Sequence, residues 1–535
     1  MVREVGNLQT QSSTMRILTN QCSNNSTGST SSTSSEGSHK QPAADRWMGY
    51  VLTIVAVVSY VTAGLMLGWS NGAFQRFSSD TRLQHLSEGW RFSLAATPAL
   101  LIAVIALAMH RFYYWIGTKA FLLTGSLLAV GSMCLEAFAR SFWWLSAARI
   151  LAGISTGLTF TLVPPYVEEF GIVKQTLMSD LLSASFPIGV LIRFAADWLL
   201  PVEFSTWASL CWAVLPACCF VGMLLLPESA RFLCATDRLS EAASVLQRTN
   251  ALQPGDLQQD AFLQSTLSRW QQPNPGLLEA VRNQGNLTQL VPLLALFTFQ
   301  AFVGVLPMLF YLTNLLELAG SDRPSLQTVT LMAVFVCTSV FTRKVVRCPH
   351  LHRPLLATSS LLIAVAMFTL GWHIHLLRIR TSTLEPGQQD WSLPSFALVF
   401  AAYALGFHRQ PQLLLQSEVR EENLFGLRTL AVAICWASVY IAVRLLPFLL
   451  RTIGAGWLLW NTSLVALFAA LFVYVAVPRS DGFAHKTLPP AIRCSSTSSS
   501  SSSTSATPSK KTSWTAVQIT PDHFPSAPQG PVETV

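Results

Sequence analysis

The fold of this chain is decided by residues 148–170, ARILAGISTGLTFTLVPPYVEEF. The stretch is apolar enough to lie in lipid, and Gly153 and Gly157 are about one helical turn apart. This spacing leaves one face of a membrane helix without side chains, so a neighbouring helix can approach closely. Pro164 and Pro165 are predicted to end the span, because a proline removes a helical hydrogen bond.

The composition of the whole chain also indicates a membrane protein. Of its 535 residues, 51% are hydrophobic and only 12% are charged, whereas soluble domains carry about 25% charged residues. The net charge of +8 is spread over short loops and not over one dense patch, which favours membrane orientation over nucleic-acid binding. The ten cysteines show no metal-binding or disulfide spacing. There is no GxxxxGK[ST] loop and no enzyme motif, so neither an ATP-driven pump nor an enzyme is predicted.

Apolar runs of about 20 residues, each able to cross a hydrocarbon core of about 30 Å, begin at Trp47. The predicted spans are Met48–Trp69, Phe92–Met109, Lys119–Phe138, Trp144–Tyr166, Leu177–Leu199, Trp207–Leu226, Gln289–Thr313, Gln327–Phe341, Leu355–Leu376, Phe396–Leu415, Leu427–Leu450 and Trp457–Val477. We therefore expect a six-helix bundle over residues 47–226, a middle loop over 227–288, a second bundle over 289–478, and disordered tails over 1–46 and 479–535.

The middle loop is predicted to hold short amphipathic helices at Ser240–Asn250 and Gln258–Trp270, because apolar residues recur there at helical spacing. Loop charges predict the orientation of the spans. The short loop after the eighth span carries the clearest positive charge, from Arg343 to Arg353, which places both tails in the cytoplasm.

The order of residues in the fourth span resembles that of sugar porters of the major facilitator superfamily. The matching positions are Arg149, Gly153, Gly157, Pro165, Tyr166 and Glu169. After the sixth span, PESARFL (residues 227–233) is similar to the PESPRWL motif of the same family, and we expect Glu228 and Arg231 to cap and pair at the membrane surface.

Further positions carry the same resemblance. They are Gln300, Gly304, Phe310, Tyr311 and Ala319–Gly320 in the seventh span, Gly406, Pro411 and Glu418 in the tenth, and Gly426 and Trp436 in the eleventh. Residues 64–80 are similar to the opening of insect facilitated trehalose transporter-like proteins.

The resemblance implies an all-α polytopic membrane protein with the major facilitator fold, in which 12 transmembrane helices form two pseudo-symmetric six-helix bundles around a midplane cavity. It implies alternating-access transport of a sugar or a related polar or anionic solute. It also implies a multi-pass protein in the lipid bilayer of the plasma membrane. A monomer is the default expectation for its oligomeric state. No cofactor, metal, catalytic residue or nucleic-acid partner is expected.

Two charged signature motifs of the family have lost most of their characteristic residues in this chain. The DRxGRR motif after the second span survives only as Gly117 and Lys119, with Tyr114 in place of the acid. Its repeat after the eighth span keeps Arg353 and Pro354. In the family these charges pair across helices, so the loss is expected to weaken the outward-facing state.

The family's sugar site is altered as well. Gln300 remains, but Ala301 stands where the family has a second glutamine and Leu306 where it has an asparagine. Ser183 occupies the position of the fifth-helix glutamine, and Gln412 lies at or beside the position of the tenth-helix tryptophan. Each lost hydrogen bond costs about 1–3 kcal/mol, which argues against ordinary glucose transport. The candidate substrate-binding residues are Gln300, Gly304, Tyr311, Ser183, Gln412 and Arg409. A non-transporting sensor or receptor and an organic-anion carrier remain alternatives.

Ionisable residues lie within several predicted spans. Arg193 and Asp197 are four apart and can pair, while His408, Arg409 and Arg444 follow in the tenth and eleventh spans. Two interpretations stay open: a cavity suited to an anionic solute, or snorkelling near the span ends together with an internal Arg193–Asp197 pair. For proton coupling, Asp197 and Glu136 are the only candidates identified within the spans.

Overall fold

The structure is a computed structural model that describes residues 43–79, 88–139, 141–171, 175–201, 204–250, 257–271, 276–283, 287–346, 351–379 and 391–477. Over these ranges the regular secondary structure is helical. The helices are α1 (Ala43–Ser79), α2 (Glu88–Ile116), α3 (Thr118–Ala137), α4 (Phe142–Glu168), α5 (Gln175–Leu199), α6 (Ser205–Trp212), α7 (Val214–Leu225), α8 (Ala230–Ala235), α9 (Leu239–Asn250), α10 (Leu257–Trp270), α11 (Leu277–Asn283), α12 (Leu287–Phe302), α13 (Val305–Met308), α14 (Leu312–Leu318), α15 (Pro324–Phe341), α16 (Arg343–Val346), α17 (His352–Ile379), α18 (Ser392–Leu405), α19 (Gln410–Glu418), α20 (Glu421–Thr452) and α21 (Ala455–Ala476).

Eleven stretches among the described residues are long and apolar enough to cross a membrane, and each coincides with a predicted span. The tenth predicted span differs because it is divided into α18 and α19. The break follows from close packing: a Cβ atom on Gly406 would lie 2.3 Å from Ser359 Cβ. The seventh span is broken too, at Gly304, whose φ of +95° favours glycine. With the divided helix counted, the described residues contain twelve spans, as predicted.

Glycines set the closest helix contacts in the first half of the chain (α1–α7). A Cβ on Gly153 would lie 2.7 Å from Leu101 Cβ, and one on Gly157 would lie 2.9 Å from Ile105 Cβ. The predicted close approach to the Gly153 face is therefore confirmed, with α2 as the neighbour. A second glycine contact joins α1 to α5, where a Cβ on Gly64 would lie 2.2 Å from the carbonyl oxygen of Phe186.

Pro164 and Pro165 do not end the fourth span, contrary to prediction. Both lie inside α4, which continues to Glu168. The prolines remove two backbone donors, but the residues beyond them are held by tertiary contacts. Tyr166 is buried, and its hydroxyl donates to the carbonyl of Pro227 at 2.7 Å. This contact explains how the last turn persists where local sequence predicts a stop.

The middle loop forms a small helical layer of α8 to α11. The two predicted helices are present as α9 and α10, while α8 and α11 were not predicted. The layer has its own apolar core, made of Ala230, Leu233, Cys234, Ala242, Leu246, Leu263 and Leu267. We call the end of the bundle that carries this layer the loop end, and the other end the opposite end.

The second half of the chain (α12–α21) packs around large buried aromatics, which are Phe335, Phe396, Phe400, Tyr403 and Phe407. Residues 1–42 and 478–535, which hold most of the predicted N-terminal tail and all of the C-terminal one, lie outside the described residues. The predicted N-terminal tail extended to residue 46, but α1 already begins at Ala43. The same holds for the side chains of Lys344 and Arg347 after the eighth span. The orientation of the spans and the domain boundaries thus stay predictions.

Candidate functional site

A cavity of about 190 Å³ lies between the two halves of the bundle. Its apolar wall includes Phe160 and Trp436, whose rings stack across the halves with centroids 5.6 Å apart and an interplanar angle of 18°. Its polar wall includes Ser183, Gln300 and Gln412. An apolar enclosure with a few directed polar groups is the usual construction of a small-molecule site.

Four of the six predicted substrate-binding residues line this cavity: Gln300, Ser183, Gln412 and Arg409. Gly304 and Tyr311 do not. A Cβ on Gly304 would face Met367 at 3.5 Å, away from the cavity. Tyr311 is buried, and its hydroxyl donates to the carbonyl of Val443 at 3.4 Å. The chain turns at Gly304, and although Leu306 still lines the cavity, Tyr311 no longer shares the face that carries Gln300.

Two ion pairs join the halves at the loop end of the cavity. Arg409 in the tenth span pairs with Asp180 in α5, and its Nη2 also donates to Ser179 Oγ at 3.1 Å. Arg428 in α20 pairs with Glu168 in α4, at 2.7 Å. His408 Nε2 lies 2.7 Å from the carbonyl oxygen of Ser183.

Asp180 was missed by the sequence analysis, which identified only Asp197 and Glu136 as carboxylates within spans. It is 1% exposed and lies inside the predicted fifth span. The sequence did contain a signal for it: Asp180 lies within an apolar membrane-spanning stretch, and an acid at that depth needs a partner. The sequence could not name the partner, since Arg409 is 229 residues away.

At the opposite end a different contact joins the halves. The Asn71 side chain donates to Thr313 Oγ1 at 2.7 Å and accepts from the Thr313 backbone N–H at 2.9 Å. Next to it, the Phe92 ring packs on Tyr311 with centroids 5.3 Å apart. The cavity therefore lies between polar bridges at both ends.

Residues 52–489 match the model of the family described as "Sugar (and other) transporter". The chain belongs to this family. It is accordingly a multi-pass membrane transporter of the sugar-porter type, with the major facilitator fold.

Among curated sugar porters, the chain is 24% identical over 392 residues to mouse "Solute carrier family 2, facilitated glucose transporter member 8", covering 68% of this chain and 78% of that one. It is 23% identical over 377 residues to "Facilitated trehalose transporter Tret1" of Polypedilum vanderplanki, covering 69% and 73%. Among solved structures, the proton:xylose symporter XylE bound to 6-bromo-6-deoxy-D-glucose superposes with a TM-score of 0.63 at 19% identity, covering 81% of this chain and 97% of that one. This last likeness concerns the fold.

A second charged cluster of this sugar porter is buried in its first half, away from the cavity. The Glu136 carboxylate accepts from Arg149 at 2.9 Å, from Arg193 at 3.1 Å and from Ser209 at 2.7 Å. The predicted Arg193–Asp197 pair is present at 3.4 Å. Arg149 is fully buried and also stacks over the Trp69 ring at 4.1 Å, a placement that ties α1 to α4.

The fourth-span motif ends in a buried acid at the loop end. The Glu169 carboxylate accepts from Ser229 Oγ at 2.7 and 2.9 Å and from the Ala230 backbone N–H at 2.8 Å. Burial raises the pKa of Glu169 to about 7, and the nearby Arg231 charge and these hydrogen bonds oppose the rise.

Glu228 and Arg231 do not pair with each other, contrary to prediction. Glu228 accepts from the Lys119 backbone N–H at 2.9 Å, and Arg231 lies 3.8 Å from Glu421. The N-cap of α8 is Ser229, which accepts from Phe232 N–H. The motif thus connects different helices and does not act as a local pair.

Two further motif residues, Gly117 and Arg353, also connect different helices. A Cβ on Gly117 (φ +99°) would lie 3.0 Å from Glu228 Oε2, so the residual signature packs directly on the PESARFL segment. Arg353 donates to the carbonyls of Val473 and Tyr474 in the last turn of α21, where a cation is favourable. Glu418 is half-buried at the end of α19.

Proposed function

We propose that this sugar porter carries a small polar solute of the sugar class, and that the cavity between its halves is the binding site. The observation that carries the proposal is the position of the cavity. It lies between separate inter-half bridges, Asp180–Arg409 and Glu168–Arg428 at the loop end and Asn71–Thr313 at the opposite end. Alternating access needs contacts of this kind, because one set must break while the other holds.

The cavity wall is chemically suited to a sugar-like solute. Trp436 and Phe160 provide flat apolar surface, while Gln300, Gln412 and Ser183 provide donors and acceptors. The relatives named above carry glucose, trehalose and xylose according to their names. The cavity wall also contains the apolar Leu306, at a position where the family pattern has an asparagine. This wall offers fewer hydrogen-bonding groups than the family pattern, which favours a sugar derivative over glucose itself.

We further propose a plasma-membrane location, cytoplasmic termini and a monomeric unit. The positively charged loop after the eighth span supports the orientation. With this orientation the loop end faces the cytoplasm. The motif residues at that end would hold the cytoplasmic closure, and Arg149 with its glycine face would hold the first bundle together.

Uptake tests the proposal. Labelled trehalose, glucose and organic anions are offered to oocytes expressing the protein, with surface expression measured in parallel. Trp436→Ala and Gln300→Ala are expected to raise the KM for the transported solute by about 10-fold, the equivalent of one lost contact of about 1.4 kcal/mol. The matched controls are Trp457→Ala and Gln289→Ala, whose side chains are exposed on the outside of the bundle.

Two outcomes would contradict the proposal. Absence of uptake of every solute at normal surface expression would favour the non-transporting sensor. An unchanged KM in both cavity variants, with uptake intact, would place the binding site elsewhere.

A further inference from the structure

We infer, building on the proposed transport function, that Phe160 sets the maximum size of the solute. Its ring occupies the space that the second ring of a disaccharide would need. The protein therefore carries a solute with a single sugar ring and excludes disaccharides such as trehalose.

The contact between Phe160 and Trp436 carries the inference. Phe160 belongs to α4 in the first half of the bundle, and Trp436 belongs to α20 in the second half. Their ring planes are only 18° apart and their centroids are separated by 5.6 Å, a separation typical of aromatic rings in direct contact. No sugar ring fits between them, because the two aromatic faces already touch.

The stacked pair lies inside the cavity, away from its loop end. Phe160 precedes Glu168 by eight residues in α4, and Trp436 follows Arg428 by eight residues in α20. At 1.5 Å per residue, the pair is about 12 Å from the Glu168–Arg428 ion pair along both helices. The aromatic contact thus joins the halves at a level within the cavity and shortens the space that a solute can occupy.

The Phe160 ring is held in place and cannot turn aside for a larger solute. Its centroid lies 5.3 Å from that of Tyr60 in α1 and 5.7 Å from that of Phe186 in α5. The backbone of α4 is fixed as well, since Gly153 and Gly157 pack closely on α2. A ring enclosed in this way can move only if its neighbours move too, which a closely packed interior resists.

The volume of the cavity agrees with a single sugar ring. It measures about 190 Å³, which is below the range of about 300–1,000 Å³ found for sites that bind drug-sized ligands. A disaccharide is a ligand of that size, whereas a monosaccharide has one ring instead of two. Bridges join the halves at both ends of this cavity, and alternating access requires the whole solute to fit between them.

The test measures uptake of labelled sugars by the purified full-length protein in liposomes. The single-ring sugars are glucose, xylose and glucosamine, and the disaccharides are trehalose and maltose. In the unmodified protein, uptake of the best single-ring sugar is expected to exceed that of either disaccharide by about 10-fold or more, because overpacking a filled site weakens binding by at least about that factor. In Phe160→Ala the ratio should fall to about 3-fold or less, because the neighbours refill the space of the lost ring only in part.

A series of variants of Phe160 separates a size limit from a structural role. Phe160→Leu should raise disaccharide uptake by less than Phe160→Ala does. Phe160→Trp should lower uptake of glucose more than uptake of the smaller xylose. A side chain that matters only for stability would change the uptake of all sugars by the same factor. Thermal unfolding of each purified variant checks that it is folded, and if Phe160→Ala is not, Phe160→Leu and Phe160→Trp decide the question by the same ratios.

Phe341→Ala is the matched control, because the Phe341 side chain is 81% exposed on the outside of the bundle. It should keep the sugar preference of the unmodified protein. A shift toward disaccharides in this control as large as that in Phe160→Ala would overturn the assignment of the size limit to Phe160.

The remaining outcomes separate this inference from the proposed function. Disaccharide uptake equal to single-ring uptake in the unmodified protein would overturn the size limit and leave sugar transport standing. A folded Phe160→Ala protein that still excludes both disaccharides would do the same. No uptake of any sugar, together with no Tm shift from any of them, would contradict the proposed transport function as well.

Discussion

Arg428 holds Glu168 with two parallel hydrogen bonds, from Nη2 to Oε1 at 2.7 Å and from Nη1 to Oε2 at 3.1 Å. The first residue lies in α20 and the second at the end of α4, so this fork joins the two halves of the bundle beside the cavity. The charged signature motifs after the second and eighth spans have lost most of their characteristic residues in this chain. Ion pairs at other positions join the halves at the loop end instead.

Breaking this fork is expected to open the loop end more often. Glu168 is about one quarter exposed, so solvent screens the pair and we expect an effect of about 1 kcal/mol, or about 5-fold in population. Cys435 lines the cavity and can report the change. In a variant that keeps only this cysteine, Arg428→Gln should increase labelling of Cys435 by a loop-side thiol reagent about 5-fold.

Arg451→Gln is the control for this prediction, because Arg451 is an exposed arginine at the other end of the same helix. Equal labelling rates in the Arg428 variant and in its parent would show that the fork does not hold the closure.

Removing the carboxylate of Glu136 is expected to destabilise the first half strongly. Glu136→Gln removes the carboxylate that the buried Arg149 and Arg193 share, and the loss of a buried ion-pair partner costs about 3–5 kcal/mol. The measurement is thermal unfolding of the purified protein in detergent. Asp197→Asn should cost clearly less, because Arg193 keeps its contact with Glu136. Equal decreases in Tm in the two variants would contradict the conclusion that Glu136 is the main anion of this cluster.

The stability at the loop end is expected to depend on pH through Glu169. Its folded-state pKa is raised from 4.5 to about 7, so the folded protein binds the proton more tightly than the unfolded chain does. Protonation of Glu169 therefore stabilises the folded state. This stabilisation is fully present below about pH 4.5 and is lost as the pH rises through about 7. Glu169→Gln, which stays neutral, should flatten the fall in Tm between pH 5 and pH 8.

Glu241→Gln is the matched control, since Glu241 is an exposed acid paired with Arg238 in the same helical layer. It should leave the pH profile of Tm unchanged. A profile in the Glu169 variant that falls as steeply as that of the unmodified protein would assign the dependence to another group.

The glycine face of α4 is expected to tolerate no side chain. In Gly153→Ala the new Cβ would lie 2.7 Å from Leu101 Cβ and 2.9 Å from Pro98 Cα, so two helices must separate. Overpacking of this kind costs about 1–3 kcal/mol. Gly131→Ala is the control, because its Cβ would meet its neighbour at an ordinary 3.5 Å. Thermal unfolding should show a lower Tm only for the first variant, and equal values would show that α2 and α4 can move apart freely.

The sequence predicted those features that depend on local pattern. The twelve spans follow from the length of the apolar runs, and the close contact at Gly153 follows from glycine spacing on one helix face. The pairing of Arg193 with Asp197 follows from their separation by four residues. Glu136 was considered there only as a proton-coupling candidate, and its place in that cluster was not predicted. It reaches Arg193 across 57 residues of chain.

The candidate site was predicted only in part, for a physical reason. Gln300 and Gln412, which the motif register assigns to the site, lie on helix faces that line the cavity. Tyr311 was assigned to the same register, but the left-handed turn at Gly304 changes the direction of the chain and takes Tyr311 to the bridge at the opposite end. A backbone break of this kind is decided by packing, here of Gly304 against α17 and α21.

By itself, the sequence determined that this protein is a bundle of membrane-spanning helices, because hydrophobic length and small-residue spacing are local properties of the chain. Only the tertiary structure decided which charges meet. Asp180 and Arg409, like Glu168 and Arg428, are more than 200 residues apart, and their contact exists only because the two halves of the bundle pack around one cavity. Buried charges must find a partner, but the identity of that partner is set by the packing of the halves.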